Sequence, residues 1–214
     1  MDALELESGR NPQAAVIWLH GLGADGHDFE PIVPELRLAS SVRFVFPHAP
    51  VRPVTLNAGM RMRAWYDIFQ LGGGPEDEAG VRASQRLLED LIARETGRGI
   101  PPAKIVLAGF SQGGAIVLHT GLRHRERLAG ILALSTYLPL AKSLPEEAAA
   151  ANRDLPVFMA HGLYDDIIPI DRAQASRKRL EAAGYAVEWH EYPMPHSVCP
   201  PEIGDIAAFL TRVI

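Results

Sequence analysis

Gly109-Phe110-Ser111-Gln112-Gly113-Gly114 separates two segments of different character. Ahead of it, Ile105-Val106-Leu107-Ala108 is a β-branched apolar run of the kind that forms a buried parallel strand. Behind it, Ala115 to Leu122 suits a buried helix. Strand, Gly-x-Ser-x-Gly and helix together make the pattern of a nucleophile elbow. A turn this tight needs glycine on both sides of the serine, because a Cβ there would strike the adjoining strand or helix. The turn lifts the Ser111 hydroxyl above the sheet edge. The free N–H groups and positive dipole end of the new helix then face whatever bonds to that oxygen.

Outward from the elbow, apolar strands alternate with helical patterns. Leu4 and Leu6 alternate with Glu5 and Glu7 as a short edge strand, and Ala14 to Leu19 is a buried one. His20-Gly21-Leu22-Gly23-Ala24-Asp25-Gly26 is a glycine-rich loop, and Phe29, Ile32, Val33 and Leu36 have helical spacing. Val42 to Phe46 reads as a strand, and Val81 to Ile92 marks a long amphipathic helix ending near Gly97 and Gly99. Strands follow at Gly130 to Ser135, Val157 to Ala160 and Ala186 to Tyr192. Helices are expected at Glu146 to Ala151 on the surface, Arg172 to Ala183 and Ile203 to Val213. Val51 to Glu76, broken by prolines and glycines, reads as one long irregular loop. This order predicts a single α/β domain over residues 1–214, with a mostly parallel central sheet flanked by helices.

Composition bounds the function. With 214 residues, 47% apolar and 22% charged, the chain is long enough for a sizeable core. A net charge of −5 and the absence of a Lys/Arg tract argue against nucleic acid as a partner. No apolar run approaches 18 residues, so no membrane span is expected. The first seven residues are acidic rather than signal-like, and Cys199 is the single cysteine, so a reducing, cytoplasmic setting is expected.

A serine hydroxyl needs a base, and the base needs an acid on its far nitrogen. Of the eight histidines, His196 is the one in a loop between the last strand and the last helix. His190 falls mid-strand, His119 mid-helix and His124 near a helix end, which suits packing or solvation. His20 and His161 each precede a glycine at a tight turn and read as supports of the backbone, and His27 and His48 stand as weaker loop alternatives. The acid is expected after the strand ending at Ala160, at Asp165 or Asp166. The order serine, aspartate, histidine suits an open α/β sheet. The N–H of Gln112 is one expected oxyanion donor, and that of Leu22 in the first glycine-rich loop is the other.

Taken together, Leu19 to Gly26, Ala64-Trp65-Tyr66-Asp67, the elbow, Leu134 to Tyr137, His161-Gly162 through Pro169, and Tyr192 to His196 resemble the phospholipase/carboxylesterase family in its bacterial carboxylesterase branch. Its eukaryotic relatives are acyl-protein thioesterases and lysophospholipases. The resemblance implies an α/β-hydrolase fold with a minimal cap, no cofactor, no metal, and a possible homodimer. In the matching His-Gly-x-x-Asp motif it assigns the acid to Asp165 rather than Asp166. It also implies an acyl groove formed partly by a loop. Val54, Leu56, Met60, Met62, Phe69 and Leu71 supply apolar candidates for that groove, with Phe69 and Leu71 the chosen substrate-binding pair. Trp65 is expected in the core beside a structural Asp67. Pro195 stands where a small residue is expected, so the loop backbone before His196 should differ from the family's.

The function implied is a serine carboxylesterase acting on short- to medium-chain esters through an acyl-enzyme. Thioester or lysophospholipid hydrolysis is the alternative, with a small-molecule ester or an acylated molecule as partner. A hydrolase-fold binding protein without catalysis is the rival of another class, and the complete serine, acid and base set argues against it.

Overall fold

The structure is a computed structural model that describes residues 1–70 and 74–214. Seven strands make the main sheet: β1 (Ala3–Glu7), β2 (Ala14–Leu19), β3 (Val42–Pro47), β6 (Ile105–Phe110), β7 (Gly130–Leu134), β8 (Val157–Gly162) and β9 (Val187–Tyr192). Their order is β1-β3-β2-β6-β7-β8-β9. Only β1 runs antiparallel, against β3, and the remaining pairings are parallel. Strand order reverses between β2 and β6, since the chain leaves β2 for β3 on one side and β6 for β7 on the other. Such a switch point opens a crevice beyond the carboxyl ends of the strands. The register sets Leu19 beside Gly109, so the loops after β2 and β6 begin side by side.

Two apolar layers sandwich the sheet. Along β2, Ala15, Ile17 and Leu19 face one layer, while Ala14, Val16 and Trp18 face the other, as the two-residue strand period requires. The first layer is covered by α2 (Glu78–Gly97) and α3 (Gln112–Gly121), and also holds Leu180 of α5 (Ile170–Ala182). The second is covered by α1 (Val33–Leu36) and α6 (Pro200–Val213). Helix α2 starts where the Asp77 carboxylate accepts from the Gly80 N–H, and it buries Val81, Ser84, Leu88, Leu91 and Ile92 along one stripe.

Two expected elements differ. The stretch from Val51 is not one irregular loop: β4 (Val51–Val54) pairs antiparallel with β5 (Met60–Arg63) in a separate two-stranded ribbon. Pro53 is tolerated because a two-stranded ribbon consists only of edge strands. The surface helix expected over Glu146 to Ala151 is instead α4 (Leu144–Glu147) and a 3₁₀ turn (Ala150–Asn152), divided by Ala148 in extended geometry. Asn152 dictates the break. It is buried, accepts from the Leu128 N–H, and donates to the carbonyls of His124 and Glu126.

Candidate active site

The elbow forms as its glycines require. Ser111 has φ 54° and ψ −119°, outside helix and strand space, and α3 begins at the next residue. A Cβ on Gly113 would lie 2.4 Å from the Leu19 carbonyl oxygen, so only glycine lets α3 approach β2 this closely. The Ser111 N–H donates to the Leu134 carbonyl at 2.9 Å, and its own carbonyl accepts from the Thr136 hydroxyl at 2.6 Å. Both neighbours hold the strained turn in place.

The structure brings Ser111, His196 and Asp165 into one hydrogen-bonded line. His196 Nε2 lies 2.9 Å from Ser111 Oγ, and His196 Nδ1 lies 2.7 Å from Asp165 Oδ2. The Asp165 side chain is fully buried, and its Oδ1 accepts from the N–H groups of Ile167 (3.0 Å) and Ile168 (2.8 Å). Asp166 is exposed and faces none of this. Two loops from separate strands meet to make the contact. Leu163 N–H donates to the Tyr192 carbonyl at 2.8 Å, and Tyr164 N–H donates to the Met194 carbonyl at 3.1 Å. A Cβ on Gly162 would lie 2.5 Å from the Pro195 carbonyl oxygen, so the histidine loop lies directly on that glycine. Pro195 is exposed, and its carbonyl accepts from the Ser197 N–H at 2.8 Å. The Phe110 ring packs 4.7 Å from the imidazole, centroid to centroid.

The first glycine-rich loop lies against the serine. A Cβ on Gly21 would lie 3.4 Å from Ser111 Cβ. His20 braces this loop: its Nε2 accepts from the Ala49 N–H, and its Nδ1–H donates to the Gly21 carbonyl at 2.7 Å. Burial lowers its pKa, which keeps it in that neutral form. Gly23 N–H donates to the Arg63 carbonyl at 2.9 Å, tying the loop to β5. Among the described residues, no acceptor takes the N–H of Leu22 or of Gln112. His161 is likewise structural. Its Nε2–H donates to the Ile168 carbonyl at 2.8 Å, and burial lowers its pKa. His119 is buried and held down to about 3 by the same cause.

Sequence reasoning missed the side chain of Gln112. Its Oε1 accepts from the Trp65 N–H at 2.7 Å, and its Nε2 donates to the Tyr66 carbonyl at 2.7 Å. It therefore ties the segment after β5 to the elbow, and Trp65 Nε1–H adds a bond to the His20 carbonyl at 2.9 Å. A long amide inside the glycine-rich turn was the one available signal. Trp65 is in the core, and Asp67 accepts from both the N–H and the hydroxyl of Thr55. Also missed was a contact between Tyr66 and Tyr137, whose hydroxyls lie 2.8 Å apart, with the Arg172 guanidinium 3.4 Å above the Tyr137 ring.

The expected groove residues scatter. Val54 is buried, and Met60 is 65% exposed on the ribbon. A Cβ on Gly23 would lie 3.9 Å from Met62 Sδ, beside the loop that carries Leu22. Phe69 is exposed and lines a shallow cleft with Tyr66, Tyr137 and Arg172. Leu71 lies outside the described residues. Among the described residues, no group of three acidic, histidine or cysteine side chains is arranged to hold a metal ion, and no helix is long and apolar enough to cross a membrane.

Residues 2–214 match the phospholipase/carboxylesterase family. The chain belongs to that family. It is 43% identical over 211 residues to acyl-protein thioesterase 1 of Gibberella zeae, covering 93% of this chain and 90% of that one. Among solved structures it is similar to SOBER1 of Arabidopsis thaliana, with a TM-score of 0.89 and 31% identity over 93% of this chain and 98% of the other. It is also similar to acyl-protein thioesterase 2 of Zea mays, with a TM-score of 0.86 and 26% identity over 99% of each. The fold is thus the α/β-hydrolase sheet flanked by helices, and the chain is an ester hydrolase. Relatives at 41–43% identity are fungal, so the bacterial branch expected from sequence gains no support.

Proposed function

We propose that Ser111 is the nucleophile of a serine hydrolase that cleaves short- to medium-chain acyl groups through an acyl-enzyme. The observation that carries this is the unbroken line from Ser111 Oγ through the His196 ring to a buried carboxylate. His196 Nε2 takes the Ser111 proton as Oγ attacks the carbonyl carbon. The oxygen turns anionic and accepts from the N–H groups of Leu22 and Gln112. Collapse breaks the bond to the leaving group, which departs with the proton from His196. Water, deprotonated by the same imidazole, then attacks the acyl carbon and returns Ser111 to its hydroxyl form. Asp165 fixes the imidazole tautomer and stabilises the imidazolium. The chain folds as one catalytic domain, and its single cysteine suits a reducing cytoplasmic compartment.

Oxygen and thiol esters pass through the same oxyanion, so the site chemistry serves both. The thioester reading draws support from the relatives, four of which carry the name acyl-protein thioesterase 1. Phe69 is the residue proposed to touch the acyl chain. A panel of acyl lengths, each as a matched oxygen ester and thioester, tests both points. The expected outcome is higher kcat/KM on thioesters, with Phe69→Ala shifting the preferred length and sparing acetyl ester hydrolysis. Preference for oxygen esters at every length refutes the thioester reading, and equal loss on all lengths in Phe69→Ala removes that residue from the groove.

A further inference from the structure

A second concavity, of about 560 Å³, opens between α4 and the last turn of α5. Helix α5 starts near the strand ends that carry Asp165 and runs back to the start of β9, so its last turn lies toward the opposite edge of the sheet. None of the residues assigned to catalysis lines it. Its walls are Leu144, Pro145, Ala148, Ala182 and Ala183.

Three cations gather around it. Lys142, Arg153 and Arg179 all line the cleft, and among the described residues none of them pairs with a carboxylate. Nearby arginines are paired: Arg123 with Glu147, Arg127 with Asp154, and Arg177 with Glu181. Three free cations around one apolar cleft, in a chain of net charge −5, form a local positive field. Tyr185 adds a second, independent feature. It lines the cleft and is only 4% exposed, yet its hydroxyl has no hydrogen-bond partner among the described residues. A buried hydroxyl without an acceptor is costly, and a ligand oxygen would remove the cost. Arg153 lines the same cleft and acts electrostatically on that hydroxyl, which places a cation in its neighbourhood.

We propose that this cleft binds a medium-chain carboxylate, with its headgroup at Arg153 and Tyr185 and its alkyl chain on the Leu144, Ala148 and Ala182 walls. The volume lies within the range of small-molecule sites. An alkyl carboxylate is favoured over a free phosphate, because the Leu144, Pro145, Ala148, Ala182 and Ala183 walls offer contact to an alkyl chain and nothing to the remaining oxygens of a dianion. A helix from a second copy would cover the apolar wall but leave the hydroxyl and the cations unmatched. The inference does not depend on the role given to Ser111.

The test is calorimetric titration of decanoate, octanoate and 1-decanol into the full chain and its variants. Each further buried methylene should tighten binding about fourfold, so decanoate should exceed octanoate by roughly 15-fold. Ala182→Trp fills the cleft from an exposed helix position and should weaken decanoate at least tenfold, while the melting temperature and acetyl ester hydrolysis stay unchanged. Arg153→Gln/Arg179→Gln, which does not depend on packing, should weaken it about five- to tenfold. Tyr185→Phe should weaken decanoate and leave 1-decanol untouched. Equal affinity in wild type and both cleft variants overturns the proposal. So does 1-decanol binding as tightly as decanoate, or a dimer in sedimentation that Ala182→Trp abolishes while decanoate fails to bind.

Discussion

Replacing Asp165 with asparagine keeps the shape of the side chain and changes one donor–acceptor relation. The carboxylate accepts on both oxygens: Oδ1 from the Ile167 and Ile168 N–H groups, and Oδ2 from His196 Nδ1–H. An amide has one acceptor end, and the two backbone donors decide where it goes. Placing the NH₂ against them would lose two hydrogen bonds, at about 1–3 kcal/mol each. Two contacts favour that reversal: the His196 Nδ1–H bond to Oδ2 at 2.7 Å, which the ring can replace by moving its proton to Nε2, and the longer approach of His161 Nε2 to Oδ2 at 3.3 Å. The amide oxygen should therefore occupy the Oδ1 position by a factor of about 30 or more. Its NH₂ then donates to His196 Nδ1 and drives the ring proton to Nε2, the atom that must accept from Ser111. With the imidazolium also unsupported, kcat should fall about 10⁴-fold, as an acid-to-amide change does in other serine triads. Steady-state hydrolysis of a short ester measures this, with a melting curve to show that the fold persists. The exposed Asp166, changed to asparagine, should stay within about twofold of wild type. Asp165→Asn retaining a tenth of the activity, or Asp166→Asn losing most of it, would refute the tautomer argument.

Ser111→Ala should fold normally, lose about 10⁴–10⁶ in kcat and no longer label with a fluorophosphonate. Normal turnover in that variant would exclude a covalent route. Gln112→Ala keeps the backbone N–H but leaves the buried Trp65 N–H and Tyr66 carbonyl without partners, so urea unfolding should show a loss of about 2–4 kcal/mol. Glu202 is fully buried in the first turn of α6, and burial raises its pKa to about 8 from 4.5. The folded state thus holds a proton that the unfolded state releases. That stability contribution is complete below pH 4.5 and is lost as pH rises to about 8, with a limiting slope of about 1.4 kcal/mol per pH unit. Glu202→Gln should remove that decline, and a parallel decline in the variant would show that the carboxyl titrates elsewhere.

What could be read from the sequence divides along a physical line. The strands of the sheet were legible because burial on both faces writes continuous apolar runs, and Ala14–Leu19 and Ile105–Phe110 appear with the bounds of those runs nearly intact. The elbow was legible because a strained turn admits few residue types, and His196 because it was the histidine placed between the last strand and the last helix. Asp165 against Asp166 was not decided by periodicity. The choice depends on which carboxylate turns inward to the Ile167 and Ile168 N–H groups, and adjacent residues share the same spacing. The ribbon at Val51–Val54 and Met60–Arg63 was hidden because Pro53 and Gly59 mimic loop chemistry, while its pairing needs only four residues on each side. The break at Ala148 was hidden for another reason: it answers to Asn152, whose partners lie 24 to 28 residues away. Local pattern therefore reports what an element does with its own backbone. The braces that hold this site, Gln112 to Trp65, His20 to Ala49 and Gly23 to Arg63, join residues 29 to 47 apart. Such contacts leave no periodic trace, and substitutions at Gln112 and His20 are where stability and geometry of the site should separate most clearly from its chemistry.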